Sequence, residues 1–552
     1  MTAVLCRATR IFSHVDDINM RALHAGVHVR NKNQLNCPSK VMAIMAIIPT
    51  LVEDPASNIM IGNNTSYLRV LVSTVSCQNL TFPDWFMFGA ATSSYQIEGG
   101  WNASDKGEST WDRALHTHPE IVGDGSNGDV ACDSYHLWRR DVEMCAELGL
   151  DMYRFSISWP RLLPTGFSNK ISEDGKNYYS NLIDGLLEKG IEPVVTMYHW
   201  DLPQYLQDLG GWANPLISDW FADYASVVYY LYADRVKYWI TFNEPIVTCD
   251  SGYTKQSTPY LDDLNTGGFL CNKNLLMAHA KAYRIYEEEY KLKYNGKISL
   301  ANIFVWFEPE TPDDANVTEL MFQLYEGRFA HPIYLGGWPP ELEKVLAENG
   351  KREGYKYPRL PPFTPEEVEF VRGTADYYAL NHYITRQIRQ VGPGEAGSWP
   401  FYGSNEIGAT MLNDPSWTPT FIDWFTLNPK ALRTQLHWIN DTYGVNEVMV
   451  TENGLPLLSR DLYDVERMEC IRDHLEQILL AINDGIHVIG YTAWSLLDNF
   501  EWAAGYASTF GLYAVNFTDP QRTRTPRESA RYYSSVTRTR SLLPRKTDLN
   551  YE

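Results

Sequence analysis

The chain has 552 residues, of which 44% are hydrophobic, and it carries a formal net charge of −21. This acidic balance disfavours nucleic acid and anionic membranes as partners, and it favours a neutral or cationic small-molecule substrate. No segment reaches the roughly 18 consecutive apolar residues of a membrane-spanning helix, so no membrane span is predicted. The sequence also lacks a P-loop and any CxxC pair. We therefore predict neither a cofactor nor a metal site.

Residues 1–77 show no clear periodicity and differ in character from the rest of the chain. Within them, 67–77 (YLRVLVSTVSC) resembles the apolar core and small-residue end of a signal peptide, although it lies far from Met1. Either this segment is a genuine extension or translation starts at an internal methionine, and we favour the second explanation. The predicted organisation is an N-terminal extension over 1–77 followed by one large domain over 78–545.

From about residue 80 onward, eight short apolar or β-branched segments alternate with helical patterns. The eight strand candidates are 87–94, 152–158, 193–200, 236–245, 297–303, 375–383, 447–454 and 488–495. Amphipathic helices are predicted between several of them, for example over 176–190 and 465–485. Eight such alternations favour an α/β fold of a single (β/α)8 (TIM) barrel with long βα loops. Long irregular insertions are expected after strands four, five, six and eight.

Polar side chains cluster at the end of nearly every strand candidate. In a (β/α)8 barrel the carboxyl ends of all strands meet at one face, so these distant positions converge on a single pocket. The clustered residues are Gln96 and Glu98, Arg154, His199 and Asp201, Asn243 and Glu244, Asn381 and Tyr383, Glu452 and Asn453, and Trp494.

Two of these residues are glutamates, Glu244 at the end of strand four and Glu452 at the end of strand seven. Positions three strands apart on an eight-stranded ring face each other across its mouth. A buried carboxylate is costly unless it is paired, hydrogen-bonded or used. Two facing carboxyl groups suit glycoside hydrolysis, in which one is a protonated acid and the other an ionised nucleophile or base. A structural ion pair would explain either glutamate alone but explains both together poorly.

Seven motifs carry a resemblance to a known family. They are FGAATSSYQIEGGW, YRFSISWPR, YHWDLP, TFNEP, ALNHY, TENG and WSLLDNFEW. Together they resemble glycoside hydrolase family 1, the retaining β-glucosidase family, over roughly residues 80–540. The NFEWAAGY segment and the later FGLY look like the insect β-glucosidases of that family. The resemblance implies hydrolysis of terminal non-reducing β-D-glucosyl residues by double displacement, with small β-glycosides or oligosaccharides as substrates and no cofactor.

The resemblance assigns the general acid/base to Glu244 and the nucleophile to Glu452. It implies that Arg154 and Tyr383 contact the nucleophile, where a guanidinium and a hydroxyl donor would lower its pKa. The resemblance also implies that Asn243 forms a hydrogen bond with the sugar 2-hydroxyl and that Trp494 lies under the sugar ring. Trp306 would contact the leaving group. The other sugar hydroxyls would be bound by Gln96, His199, Glu501 and Trp502.

The segment 252–269 (GYTKQSTPYLDDLNTGGF) departs from the family pattern, which more often has a Gly-rich stretch with Ala-Pro-Gly here. Because this loop shapes the leaving-group side, the departure leaves leaving-group preference open and does not affect the prediction of hydrolysis. Cys249 and Cys271 bracket the loop and are a candidate disulfide.

Three alternatives remain open at this point. The first is a thioglucosidase: the plant enzymes replace the acid with Gln, whereas this chain keeps Glu244, which an insect thioglucosidase could also keep. The second is a non-catalytic glycan-binding relative, although such proteins lose one of the two glutamates. The third is a transglycosidase, because an acceptor sugar can intercept the same intermediate.

Localisation is predicted from the N-linked glycosylation motifs and the signal-like segment. Asn-x-Ser/Thr motifs occur at Asn63, Asn64, Asn79, Asn102, Asn316, Asn440 and Asn516. Each motif alone is weak evidence, but together with the segment at 67–77 they predict a secreted glycoprotein. The oligomeric state is not predicted.

Overall fold

The structure is a computed structural model that describes residues 80–395, 397, 404–423 and 425–542. The predicted extension over 1–77 and its boundary lie outside these residues. Over the described part of the chain, none of the helices combines the length and the apolar character needed to cross a bilayer.

Eight parallel strands close into a barrel in which each strand pairs with its neighbours in the chain and the eighth pairs with the first. Seven predicted strand segments contain one barrel strand each, and the third segment, 193–200, contains all but the first residue of its strand, so the (β/α)8 prediction is confirmed. The strands are β1 (Met87–Ala91), β2 (Met152–Ser156), β3 (Glu192–Tyr198), β4 (Tyr238–Asn243), β5 (Lys297–Ile303), β6 (Tyr378–Asn381), β7 (Val448–Asn453) and β8 (Val488–Trp494).

The barrel strands are almost continuously buried because one face fills the barrel and the other packs on helices. Inside, Met152, Val194, Ile240 and Met449 belong to one apolar cluster. The long outer helices are Ser134–Leu148, Glu173–Glu188, Ile217–Tyr232, Phe269–Glu289, Pro429–Tyr443, Val465–Asn483 and Glu528–Thr539. The two helices predicted over 176–190 and 465–485 are among them.

Shorter helices lie in the loops and insertions. They are Ser94–Ile97, Thr110–Thr117, Trp159–Leu162, Gln204–Asp208, Pro245–Cys249, Lys291–Tyr294, Ala315–Phe322, Arg328–Tyr334, Pro340–Arg352, Pro365–Val371 and Ser404–Ile407. Several begin with Pro in the first turn, where the missing N–H has no helical partner to lose.

The insertions after β5 and β6 are structured, which corrects the expectation of irregular loops. Strands Trp306–Pro309, Thr385–Gln390 and Ala409–Leu412 form a three-stranded sheet that joins both insertions. Short strands such as these give too few residues for a clear period-2 pattern, so the sequence did not reveal them. Two-stranded sheets also form between Thr418–Pro419 and Thr426–Leu427, and between Tyr513–Val515 and Arg524–Pro526.

Candidate active site

Glu244 directly follows β4 and Glu452 lies in β7, so both reach the face where the strands end. Only 5% of Glu244 and 3% of Glu452 is exposed. Both line one cavity of about 770 Å³. The described lining residues are His199, Trp200, Glu244, Ile303, Val305, Tyr383, Ile384, Phe425, Glu452, Trp494, Glu501, Trp502 and Phe510.

The strand register is irregular just before each glutamate. In β4 it shifts between Ile240 and Asn243, and in β7 between Val450 and Glu452. In β4, Thr241 and Phe242 both turn outward: the Thr241 hydroxyl lies 2.7 Å from His279 Nδ1, and Phe242 stacks on Phe221 at 4.3 Å. Such bulges re-aim the side chains that follow them. The irregularities thus help to direct both carboxyl groups into the cavity.

Glu452 has a cation and a hydroxyl as direct partners. Arg154 Nη1 donates to its Oε1 at 2.6 Å, and the Tyr383 hydroxyl donates to its Oε2 at 2.8 Å. Burial holds the pKa of Glu452 above its ordinary value, and the Arg154 charge and these hydrogen bonds oppose that rise. Both partners stabilise the ionised form.

Glu244 has a different environment. Its Oε1 accepts a hydrogen bond from Asn381 Nδ2 at 2.7 Å, and no ion pair to it forms within the described residues. Burial, followed by the negative charge of Glu452, raises the pKa of Glu244 to about 8. The surroundings therefore favour the protonated form at Glu244 and oppose it at Glu452.

A hydrogen-bond network fixes the protonation of His199. Asn243 Oδ1 accepts from Arg154 Nη2 at 2.7 Å and from Asn381 Nδ2 at 3.0 Å, so Asn243 Nδ2 is the group facing His199 Nε2 at 3.0 Å. Burial, then the Arg154 charge, holds the pKa of His199 well below its usual value. The ring is therefore neutral with its proton on Nδ1, an atom that has no partner among the described residues. The Nδ1–H group of His199 is therefore available to donate a hydrogen bond to a ligand.

A third carboxyl group, that of Glu501, lines the same cavity. Gln96 Nε2 donates to Glu501 Oε2 at 3.3 Å and to Asn499 Oδ1 at 3.0 Å. Burial, then the Glu452 charge, raises the pKa of Glu501 to about 8. The Trp494 ring stacks on His199 with centroids 5.8 Å apart. These residues form a wall of rings and polar atoms suited to a sugar.

The cavity has two sides, which the glutamates separate. The polar side consists of His199, Trp494, Glu501 and Trp502, which lie at or after the ends of β3 and β8. The apolar side consists of Ile303, Val305, Ile384 and Phe425, which lie at or after the ends of β5 and β6. Going round the barrel, β5 and β6 lie between β4 and β7, which position the glutamates, whereas β3 and β8 lie on the other part of the ring. The two sides of the cavity are therefore on opposite sides of the glutamate pair.

The structure brings most of the predicted site residues together. The cavity is lined by His199, Glu244, Tyr383, Glu452, Trp494, Glu501 and Trp502. Gln96, Arg154 and Asn243 do not line it but lie directly behind, each within hydrogen-bond distance of a lining residue.

Trp306 is the predicted site residue that the structure does not bring to the cavity. Its ring is buried 5.1 Å from Phe322 and 6.3 Å from Phe304, within the main apolar cluster. Its neighbour Val305 lines the cavity instead. Successive side chains of extended chain point to opposite sides, so the residue next to Val305 turns into the core.

Cavity residues that the sequence analysis missed are mostly apolar. Trp200 lies inside the YHWDLP motif, and its Nε1 donates to the Asn243 carbonyl at 2.9 Å, so the motif could have revealed it. Ile303 and Ile384 stand beside strand ends, where the convergence rule applies to apolar residues too. Phe510 opens the FGLY segment, so that segment could have revealed it, whereas nothing in the local sequence marks Phe425.

Cys249 and Cys271 form a disulfide with their Cα atoms 5.4 Å apart. It joins the end of the short helix Pro245–Cys249, which begins just after Glu244, to the first turn of the helix Phe269–Glu289. The candidate pair from the sequence is thus bonded in the structure, and it closes the divergent loop over 252–269.

Comparison with known proteins gives a consistent picture. The family model described as glycosyl hydrolase family 1 matches residues 78–542. Myrosinase 1 of Brevicoryne brassicae is 47% identical over 464 residues, which cover 83% of this chain and 98% of the relative.

Solved structures agree. Aphid myrosinase aligns with a TM-score of 0.80 and 46% identity, covering 84% of this chain and 100% of its own. A rice β-glucosidase in a covalent complex with Glc aligns with a TM-score of 0.76 and 34% identity, covering 83% of this chain and 99% of its own. The barrel, the paired glutamates and these matches lead to one conclusion: the chain belongs to glycosyl hydrolase family 1, a family of retaining glycosidases.

Proposed function

We propose that this chain is a β-glucosidase that hydrolyses terminal non-reducing β-D-glucosyl residues, with Glu244 as general acid/base and Glu452 as nucleophile. The contrast between the two glutamates carries the proposal. Burial raises the pKa of both glutamates, but at Glu452 a guanidinium and a phenol hydroxyl oppose the rise, whereas at Glu244 the hydrogen-bond donor is an amide and the Glu452 charge adds to the rise. Two carboxyl groups held in different protonation states are what the reaction requires.

In the first half-reaction, ionised Glu452 attacks the anomeric carbon while Glu244 transfers its proton to the departing oxygen. Arg154 and Tyr383 keep the attacking carboxylate ionised and oriented. The products are a glycosyl ester on Glu452, an ionised Glu244 and the free leaving-group alcohol.

In the second half-reaction, Glu244 takes a proton from a water molecule, which attacks the anomeric carbon and displaces Glu452. Formation of the ester has removed the negative charge of Glu452, which together with burial had raised the pKa of Glu244. The pKa of Glu244 therefore falls, and its ionised carboxylate can act as a general base. Two inversions leave the sugar with its original β configuration.

The polar side is assigned to the sugar. His199 offers its Nδ1–H, Glu501 its carboxyl group, and Trp494 and Trp502 their ring faces. Asn243 and Gln96 fix His199 and Glu501 from behind. The apolar side is assigned to the leaving group, and no ligand-binding role is assigned to Trp306.

Thioglucoside hydrolysis is a second candidate. The relative at 47% identity bears the name myrosinase, and a thiolate is a weaker base than an alkoxide, so its departure needs less proton donation. The same cavity is therefore compatible with a sulfur leaving group while keeping Glu244.

The test compares p-nitrophenyl β-D-glucoside with its thio analogue, using the full chain from a secretory host. Glu452→Gln is expected to lower kcat on the order of 10⁴-fold or more on whichever substrate is turned over. Glu326→Gln is the matched control, because Glu326 is a buried glutamate outside the cavity, and its activity should be unchanged. A folded protein that hydrolyses neither substrate would support the non-catalytic glycan-binding hypothesis.

We further propose that the protein is a secreted glycoprotein. The Cys249–Cys271 disulfide is typical of oxidising compartments. Asn102, Asn316 and Asn516 are exposed, as N-glycan acceptors must be. Enzymatic removal of N-glycans should lower the mass of secreted protein, and replacing these three asparagines with Gln should reduce that shift. Secreted protein with no shift would contradict the proposal.

A further inference from the structure

Glu244 occupies a demanding position in the backbone. Its φ of +47° lies in the left-handed region, which bulky residues rarely adopt. Its N–H donates to the Ala301 carbonyl in β5 at 2.8 Å, and the short helix Pro245–Cys249 starts immediately after it. Such a conformation persists only where the surrounding structure fixes it. Contacts at the Cys249 end of the short helix therefore also help to hold Glu244 in this conformation.

That far end is held by a buried ion pair. Arg328 Nη1 donates to Asp250 Oδ1 at 3.0 Å, and Nη2 donates to Oδ2 at 2.7 Å. Arg328 is 1% exposed and Asp250 2%. Arg328 starts the helix Arg328–Tyr334 in the insertion after β5, so the pair joins that insertion to the chain leaving β4. Two parallel hydrogen bonds fix orientation as well as distance.

The same guanidinium is linked to the disulfide. Arg328 Nη1 also lies 3.3 Å from Asn272 Oδ1, and Asn272 Nδ2 donates to the Gly268 carbonyl at 2.6 Å. Asn272 is the neighbour of Cys271, which is bonded to Cys249. Three elements thus meet at Arg328: the short helix, the long helix Phe269–Glu289 and the insertion.

We propose that Arg328 and Asp250 are positioning residues for Glu244. Their bidentate pair sets the orientation of the short helix and thereby places the acid/base carboxyl group against the departing oxygen. The proposal rests on the assignment of Glu244 as the acid. Neither residue lines the cavity in its described part, so both act on the reaction through Glu244.

Leaving-group dependence separates positioning from general structural support. A basic leaving group such as methoxide needs the proton from Glu244, whereas 2,4-dinitrophenolate departs without it. Misplacement of a catalytic group by about 1 Å can cost on the order of 100-fold. The experiment therefore measures kcat/KM, which reports the first half-reaction, for methyl and for 2,4-dinitrophenyl β-D-glucoside.

The principal variant is Arg328→Lys, which keeps the positive charge but cannot form the two parallel hydrogen bonds to Asp250. We expect kcat/KM to fall about tenfold or more on the methyl glucoside and less than about threefold on the dinitrophenyl glucoside. The control is Arg524→Lys, because Arg524 forms a comparably buried pair with Asp141 at 3.1 Å, on the helix Ser134–Leu148. It should leave the ratio of the two substrates unchanged.

Glu244→Gln distinguishes the two levels of the proposal. If it does not reduce the methyl glucoside reaction selectively, the assignment of the acid fails. If it does and Arg328→Lys leaves the ratio unchanged, only the positioning role fails. Should Arg328→Lys not fold, the neutral pair D250N/R328Q leaves no charge buried alone, and a ratio equal to that of the unmodified protein would overturn the proposal.

Discussion

The two sides of the cavity differ in how their side chains are held. On the polar side, polar atoms fix one another: Arg154 orients Asn243, which orients His199, and Gln96 orients Glu501. On the apolar side, Ile303, Val305, Ile384 and Phe425 present hydrocarbon to the cavity. A hydrogen-bonded network tolerates few substitutions because each loss leaves a buried partner unsatisfied. Apolar contacts of similar volume can be exchanged at low cost.

This difference predicts that substitutions on the polar side disable the reaction, whereas those on the apolar side change which leaving groups are accepted. Four experiments test the comparison, from the largest expected effect to the smallest.

Arg154→Met should have the largest effect. Removing one partner from a buried pair leaves Glu452 uncompensated, and such losses are worth about 3–5 kcal/mol. We expect kcat/KM to fall on the order of 10³-fold. Without the cation the pKa of Glu452 rises, so the acid limb of the pH profile moves to higher pH. Arg161→Met is the control, because Arg161 pairs with Glu98 at 2.7 Å outside the cavity; it should not move that limb.

Tyr383→Phe should have an intermediate effect. It removes a hydrogen bond to a charged group, worth roughly 1.5–3 kcal/mol, so kcat should fall about 10- to 100-fold. The acid limb should move in the same direction as in Arg154→Met. Tyr179→Phe removes a 2.7 Å hydrogen bond to Glu98 outside the cavity. Equal losses in the two variants would mean that the Tyr383 effect is purely structural.

The basic limb of the pH profile should report Glu244. Burial and the Glu452 charge raise its pKa to about 8, and the protonated form is the acid, so kcat/KM should fall above that pH. Glu501 has a pKa raised to the same value. In the unmodified protein, the limb should be present with methyl β-D-glucoside and absent with 2,4-dinitrophenyl β-D-glucoside, whose leaving group departs without the proton of Glu244. With the methyl glucoside, Glu501→Gln should keep it. The reverse pattern would assign the limb to Glu501.

Ile384→Ala should have the smallest effect, and it should be confined to the leaving group. Octyl β-D-glucoside loses apolar contact worth roughly 1 kcal/mol or slightly more, so its kcat/KM should fall about three- to tenfold. Methyl β-D-glucoside, which does not reach that wall, serves as the internal reference and should be unaffected. An equal fall on both substrates would show that Ile384 supports the polar side as well.

The barrel and the polar side were predictable from the sequence because each depends on a local signal. The eight strands are short apolar segments separated by helical patterns, and their ends carry the polar residues of the motifs. The convergence of Glu244 and Glu452 then follows from ring order alone. His199 and Trp494 followed from the motifs in the same way.

The apolar side and the insertions were not predictable. An isoleucine that lines a cavity and one that fills the core look alike in sequence, and Trp306 was assigned to the cavity although its ring packs on Phe322. The network partners of Arg328 are also distant, since Asp250 precedes it by 78 positions. Register irregularities in β4 and β7 have no composition signal, although they help to aim both glutamates.

The charge of the cavity lining has a consequence for inhibition. Glu244, Glu452 and Glu501 line the cavity, and none of its described lining side chains is Lys or Arg. A sugar mimic with a protonated ring nitrogen should therefore bind more tightly as pH rises and Glu244 ionises, until the nitrogen loses its own proton. Two mimics of equal shape but different amine basicity would then have affinity maxima at different pH values. The basicity of an inhibitor, as much as its hydroxyl pattern, would set its potency in a given compartment.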